Sequence, residues 1–317
     1  MRVSHMEAVS QTVARAYRDA VRRLHGEAVV SLYQARSAVK LELMRRAFPQ
    51  GCLVATEGDS VLGAIFARKW GQLGWFSSLG VEPEFQGRGI GKGLACAATK
   101  FLRESGCHTV GLETWTNSPA YTALYVGLGF LPVAINSQLV IDTHRGWSMD
   151  WKGRIVDFDE LPEALRDQVK PATDSISDKL VAGMSMVEEI VEANRSTEKL
   201  TTWLVKEGVI RGVGLLDLNP DFDSTAMHSD LRIAILDPVD TETSDFLALL
   251  ERVALYACQA GRTRLNVDVS SDYPRTFKLL LESGFTAVNQ LMRFVDNRSY
   301  YQGVADRAVV NIGRWAT

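Results

Sequence analysis

Gln86-Gly87-Arg88-Gly89-Ile90-Gly91-Lys92-Gly93 lies between an apolar run, residues 73–81, and an Ala-rich segment. The run reads as a buried strand stopped by Glu82-Pro83. After the glycines, Ile90, Leu94, Ala97, Ala98, Phe101 and Leu102 recur at helical spacing. Such a strand-to-helix turn leaves backbone N–H groups unobstructed, and the helix aims its positive dipole end at any anion placed there. Arg88 and Lys92 add charge. An ordinary tight turn has the same outline, so the known phosphate motifs decide the reading. A P-loop needs Gly-Lys followed by Ser or Thr, whereas Gly93 follows Gly91-Lys92 and offers no hydroxyl to Mg²⁺. The dinucleotide fingerprint needs a third glycine where Leu94 stands. Outside both motifs, the stretch reads as a loop whose backbone amides hold a pyrophosphate, with an ordinary Gly-rich strand-to-helix turn as the alternative.

A second block follows the strand pattern of residues 109–114: Asn117-Ser-Pro-Ala-Tyr-Thr-Ala-Leu124-Tyr125-Val-Gly-Leu128-Gly129-Phe130. Together the two blocks resemble the GNAT N-acetyltransferases, whose phosphate loop reads Gln/Arg-x-x-Gly-x-Gly/Ala. Gln86, Gly89 and Gly91 fill that pattern in order and in register. The resemblance implies an α/β fold with a mixed sheet, in which two central parallel strands splay apart and admit the acyl-pantetheine arm. Here those strands are residues 73–81 and 109–114. It further implies acetyl-CoA as cosubstrate, bound by Leu79, Val81, Gln86, Gly87, Arg88, Gly89, Ile90, Gly91, Lys92, Asn117 and Tyr125, without a metal.

A constant offset of 155 residues exposes a repeat. Val81-Glu82-Pro83 matches Leu236-Asp237-Pro238, Gly106 matches Gly261, Pro119 matches Pro274, and Gly129-Phe130 matches Gly284-Phe285. One ungapped offset across two strands and two helices marks a duplicated unit. Two tandem acyl-CoA N-acyltransferase folds are expected, at residues 1–150 and 151–317. The copies differ where the chemistry sits. Arg88, Gly89, Gly91 and Lys92 become Thr243, Ser244, Phe246 and Leu247, Asn117 becomes Asp272, and Tyr125 becomes Leu280. Asp240, Glu242 and Asp245 would repel a pyrophosphate. The second copy is expected to keep the fold, lack the phosphate loop and serve structure or the acceptor pocket. Mycothiol synthases are tandem relatives of similar size whose second copy carries the chemistry; here the intact motifs are in the first.

The resemblance implies direct acyl transfer from acetyl-CoA to an amine. The Val81 amide would hold the acyl carbonyl. Tyr125 would protonate the departing thiolate, although a helix aromatic packed on the sheet has the same signature. Glu113, with Glu82, is the nearest carboxylate for a general base, and a structural role suits it as well; a neutral amine needs no base. Arg15, Arg18 and Arg22 share one face of the first helix, as a solvated basic stripe or an anionic-acceptor site would. Trp75 and Trp115 could narrow the cleft or fill the core. A small-molecule primary amine is the expected acceptor; a protein or peptide amine and a non-catalytic acyl-CoA-binding module are the alternatives.

Composition sets outer bounds. With 35 basic and 38 acidic residues the formal net charge is −3, which argues against a nucleic-acid surface. No run of about 18 apolar residues occurs, and the first residues carry no apolar signal core, so neither a membrane span nor secretion is expected. Cys52, Cys96, Cys107 and Cys258 lack metal spacing and suit a reduced, cytoplasmic protein, either a monomer or a homodimer. Residues 146–153, with two Trp, read as a packed boundary between the copies.

Leading helices are expected at 8–24 and 35–47 in the first copy and at 161–169 and 184–194 in the second. Strands are expected at 52–56, 61–69, 130–134 and 138–142, then near 201–206, 209–218, 230–236 and 263–269, with a helix at 244–260.

Overall fold

A computed structural model describes residues 1–30, 38–144, 154–196, 198–218, 228–297 and 311–312. The first copy runs α1 (Met6–His25), α2 (Glu27–Val30), α3 (Ala38–Ala47), β1 (Cys52–Glu57), β2 (Ser60–Trp70), β3 (Leu73–Val81), α4 (Ile90–Glu104), β4 (Thr109–Trp115), α5 (Pro119–Val126) and β5 (Leu131–Asp142). The second runs β6 (Arg154–Asp157), α6 (Glu163–Arg166), α7 (Val169–Leu180), α8 (Val187–Ala193), β7 (Lys199–Lys206), β8 (Val209–Asp217), β9 (His228–Leu236), α9 (Thr243–Gln259), β10 (Arg264–Ser270), α10 (Pro274–Glu282), β11 (Thr286–Val295) and β12 (Asn311–Ile312). The repeat holds to the residue in the central strands. β3 maps end to end onto β9, and β4 onto β10, at the sequence offset.

The strands form one sheet in the order β1-β2-β3-β4-β11-β5-β10-β9-β8-β7-β6. The copies exchange their last strands. β11, from the second copy, lies beside β4, with Arg293 opposite Glu113 and Leu291 opposite Trp115. β5, from the first copy, lies beside β10, with Asn136 opposite Ser270. The sheet thus crosses between residues before and after 150 at three consecutive ladders. In the exchanged arrangement β4 lies between β3 and β11, and β10 between β9 and β5, so neither presents an open edge.

Each copy splits its sheet, the second one residue pair later than the first. The parallel ladder of β3 with β4 stops at Trp75–Gly111, while β3 continues along β2 to Val81 and β4 along β11 to Trp115. A β-bulge marks the split: Ser77 pairs with Phe66 and Gly80 with Ala64, so Ser78 and Leu79 together face Ile65. Ser78 adopts φ 52°, which an ordinary ladder would not require. In the second copy β9 and β10 part after Leu231–Val267. β12 then pairs with Ile233 and Ala234 of β9. Because Leu215 and Gly214 of β8 hold the other edge of those residues, β12 lies on the side that β10 has left.

Three apolar cores flank the sheet. One joins Phe76, Leu94, Ala98, Leu112, Tyr125 and Phe130 with Phe294 of β11. A second sets α1 and α3 on Ala64 and Phe66. The largest packs the second copy and takes in Leu73 and Trp75 of β3.

Three expectations need revision. The expected strands 130–134 and 138–142 are one strand, β5, because Asn136 and Ser137 are buried between two neighbours and do not turn. The main leading helix of the second copy is α7 rather than 161–169. Pro171 occupies its first turn, where no intrahelical N–H is lost. α8 is shorter than the expected 184–194. The expected boundary at 146–153, and residues 35–37 of the expected second helix, lie outside the described residues.

Candidate active site

The glycine-rich turn is built from its backbone outward. Gly87 (φ 76°) and Gly89 (φ 83°) hold conformations that side chains disfavour, and Gly89 is the N-cap of α4. The first intrahelical bond runs from Gly93 N to Gly89 O (2.9 Å), so the amides of Ile90, Gly91 and Lys92 precede the ladder. A Cβ built on Gly91 would meet only Val81 Cγ2, at 3.6 Å, and one on Gly93 would meet nothing within 4 Å. The fold therefore tolerates side chains at both. Glycine inside a helix costs about 0.5–1 kcal/mol relative to alanine. Spending that twice without an internal steric cause fits a bulky anion resting on the helix start. Gln86 ties the loop down: its Nε2 donates to Val81 O (3.1 Å), and Arg23 Nη2 donates to its Oε1 (3.0 Å). Arg88 lies over the Phe85 ring (4.8 Å) and donates to Glu84 O (3.2 Å), and Lys92 is exposed.

The mouth of the first split faces this helix start. Glu82 N donates to Leu62 O of β2 (2.9 Å). Peptide groups alternate along a strand, so the Val81 N–H points the opposite way, toward the edge from which β4 has parted. Leu79, partly buried, belongs to the bulge just before it.

Tyr125 approaches the split from the α5 side. It is 7% exposed and packs on Phe76 (6.3 Å between centroids), Phe130 (6.4 Å) and Phe294 (5.8 Å). Burial, then the neighbouring Tyr17 and Tyr121, push its phenol well above the usual tyrosine range, so it keeps its proton at neutral pH. Asn117 is exposed beyond β4, one residue before Ser118, whose Oγ accepts from Tyr121 N (3.3 Å) and caps α5.

The other face of the split carries Trp75, Gly111, Glu113 and Trp115. Gly111 cannot be larger, since a Cβ there would lie 2.0 Å from the Trp75 ring. Glu113 Oε1 accepts from Arg293 Nε (2.9 Å) and Nη2 (2.7 Å), with both side chains 0% exposed. The Arg293 guanidinium lies 5.7 Å from the Trp75 ring centre. Tyr17 of α1 reaches Trp115 (5.6 Å), which neighbours Tyr121 (6.1 Å). Glu82 is clamped by Arg15 (2.6 Å) and Thr12, and the Arg15 bond holds its carboxyl below the ordinary range. Arg22 pairs with Glu27 (2.5 Å), and Arg18 is exposed. Two of the three arginines on the α1 stripe thus already have carboxylate partners.

In the second copy the corresponding turn holds acids. Glu242 caps α9, Asp245 pairs with Lys206 (2.9 Å), and Phe246, in the place of Gly91, is fully buried. Leu280 replaces Tyr125 and is also fully buried. β12 lies in the split itself.

The family model "Acetyltransferase (GNAT) family" matches residues 15–130, which hold both the loop and the Tyr125 block. Residues 15–130 thus carry a GNAT acetyltransferase domain. A mycothiol acetyltransferase from Beutenbergia cavernae is 37% identical over 91 residues, 27% of this chain and 30% of that protein. The match thus spans under a third of that relative's length. A GCN5-related N-acetyltransferase from Sphaerobacter thermophilus superposes over 92% of both chains with TM-score 0.63 at 16% identity. A tandem GNAT protein from the clavulanic acid biosynthesis pathway covers 90% of this chain and 94% of its own, with TM-score 0.54 at 15% identity. The whole chain therefore has a tandem GNAT fold. No helix among the described residues is long and apolar enough to cross a membrane, and no cluster of three or more His, Cys, Asp or Glu among them could hold a metal.

Sequence reading did not find Arg293, Phe294 or Asn136. All three lie at the exchanged strands, and the partners of the first two are more than 150 residues away. The repeat could have drawn attention to them only if the exchange were already known.

Proposed function

We propose that this GNAT enzyme transfers an acetyl group from acetyl-CoA to the primary amine of a small molecule, using residues 1–150 as its one cofactor-binding copy. The observation that carries this reading is the split between β3 and β4, which opens onto a helix start with uncapped amides and two sterically unexplained glycines. The pyrophosphate would rest on the amides from Gly87 to Lys92, near Arg88 and Lys92, while Gln86 fixes the loop. Leu79 and Val81 would line the pantetheine arm, with Asn117 at its far side. The amine nitrogen bonds to the thioester carbonyl carbon, and the C–S bond breaks with its electron pair leaving on sulfur. The Val81 N–H holds the carbonyl oxygen as it gains charge, and the Tyr125 phenol gives its proton to the sulfur. The amine then releases its surplus proton, and Tyr125 regains one from solvent. Tyr125 and Glu113 lie on opposite faces of the sheet, so thiol and amine would meet through the split. Residues 151–317 form a copy that has lost the phosphate loop to Phe246 and its acids. The mycothiol acetyltransferase likeness supports a small acceptor. We place the enzyme in the cytoplasm, as a monomer or homodimer with no nucleic-acid partner.

The test is free-thiol release from acetyl-CoA against a panel of amines, paired with calorimetry. One cofactor per chain is expected. Two per chain, or no amine that accelerates thiol release, would overturn the reading.

A further inference from the structure

The seam where the copies exchange strands buries polar atoms that the chain itself leaves unsatisfied. Glu113 of β4 stands opposite Arg293 of β11. Asn136 of β5 stands opposite Leu291, two residues before Arg293, and therefore projects from the same face. Asn136 is 1% exposed. Arg293 occupies Glu113 Oε1, but Glu113 Oε2 has no hydrogen-bond partner, and neither do Nδ2 and Oδ1 of Asn136. A buried polar group left unmade costs more than a made hydrogen bond contributes, so three such atoms on one face call for an outside partner.

Their chemistry describes that partner. Glu113 Oε2 accepts only, and it calls for an N–H. The carboxamide of Asn136 both donates and accepts, and it calls for an amide or hydroxyl. Arg293 already neutralises Glu113, so a second cation gains little there and the uncharged, nucleophilic form of an amine is favoured. Two strand spacings separate the β4 and β5 columns by about 10 Å, the span of a small polar molecule.

We infer that this seam is the acceptor subsite. It takes a small primary amine bearing an amide or hydroxyl: Glu113 holds the amine N–H, Asn136 holds the second group, and Arg293, supplied by the second copy, is the positioning residue that orients Glu113. The inference rests on the N-acetyltransferase reading above.

Glycinamide and ethylamine, differing in the carboxamide, serve as probes with the full-length chain. Asn136→Ala is expected to raise KM for glycinamide about tenfold with kcat held, and to change KM for ethylamine less than twofold. Comparing each amine with itself across variants removes their difference in basicity. Arg293→Gln should raise KM for both amines about tenfold, and Arg293→Lys should restore most of the loss, which a purely structural role would not predict. Acetyl-CoA affinity, measured by calorimetry, should be unchanged in every variant and reports that the cleft is folded. Unchanged KM for glycinamide in a folded Asn136→Ala enzyme overturns the subsite while leaving the acetyltransferase reading intact. If the wild type acetylates no amine, that reading fails, and the subsite is judged by saturation-transfer NMR of glycinamide on the CoA-bound protein. Binding that disappears in Asn136→Ala then supports it, and no binding to the wild type overturns it.

Discussion

Phe294 lies against Tyr125 with ring centres 5.8 Å apart, although 168 intervening residues include most of the second copy. The residue before it, Arg293, holds Glu113 on the opposite face of the sheet. One strand of the second copy thus supports both candidate catalytic positions of the first. In the proposed reading the second copy, with Phe246 in the place of Gly91, contributes a strand to the cleft of the first, which would give a physical reason for its retention.

The copies should therefore not work apart. Residues 1–150 expressed alone would lose β11 from beside β4 and with it the buried Phe294, a change comparable to a Phe→Ala truncation of about 3–5 kcal/mol. That is a large fraction of a domain's usual stability. We expect no cooperative thermal transition and no acetyl-CoA binding from residues 1–150, and recovery of both on co-expression with 151–317. A sharp melt with full cofactor affinity from the first half alone would refute the dependence.

In the proposed reading Gly91, against Phe246 in the second copy, separates a cleft that accepts an anion from one that does not. Gly91→Ala meets nothing closer than Val81 Cγ2 and should leave stability unchanged or raise it by about 0.5–1 kcal/mol. Gly91→Phe, which copies Phe246, should abolish acetyl-CoA binding while circular dichroism and melting stay close to wild type. Calorimetry on the folded Phe variant decides the matter, since retained affinity would place the pyrophosphate elsewhere.

Glu189 of α8 joins the copies from another side, accepting from Arg68 of β2 (2.8 Å) and Trp70 Nε1 (3.2 Å). Burial would raise its carboxyl, but Arg68 first, then Arg232 and Lys199, overcome this and bring it down to about 2. Because the folded value lies below the unfolded one near 4.3, the stabilisation is complete above about pH 5 and is lost as pH falls toward 2. Its full size is about 3 kcal/mol. Glu189→Gln should flatten that part of the stability curve, as measured by urea unfolding between pH 2 and 6. An unchanged acid limb would show that other carboxylates govern it.

What was legible in the sequence was local or repeated. The glycine turn could be read because Gly87, Gly89 and Gly91 fall close together in the sequence, and rival motifs fail at Gly93 and Leu94. The offset placed β9 near its true bounds because β3 and β9 match end to end at 155 residues. Strand exchange was not legible, since β5 and β11 occupy equivalent repeat positions and either could pair with β4. Arg293 therefore carried no signal in the sequence, and the partner of Glu113 was not visible there. α7 was missed because Pro171 hid its start.

The final prediction concerns Tyr125, whose hydroxyl is the one atom that Tyr125→Phe removes. The ring contacts with Phe76, Phe130 and Phe294 would persist, so stability and acetyl-CoA affinity should stay near wild type. If the phenol protonates the departing sulfur, kcat should fall on the order of 10²-fold, the lower range for loss of a general acid. Burial strengthens the distinction, because a phenol pushed upward remains protonated across the neutral range and gives no neutral-pH limb of its own. The loss should therefore be constant between pH 6 and 9. Replacing acetyl-CoA by a thioester with a more acidic leaving thiol should shrink it, since such a thiolate departs without help. Near-normal turnover of Tyr125→Phe with acetyl-CoA, or an equal loss with both thioesters, would return Tyr125 to a packing role and leave thiolate protonation to water.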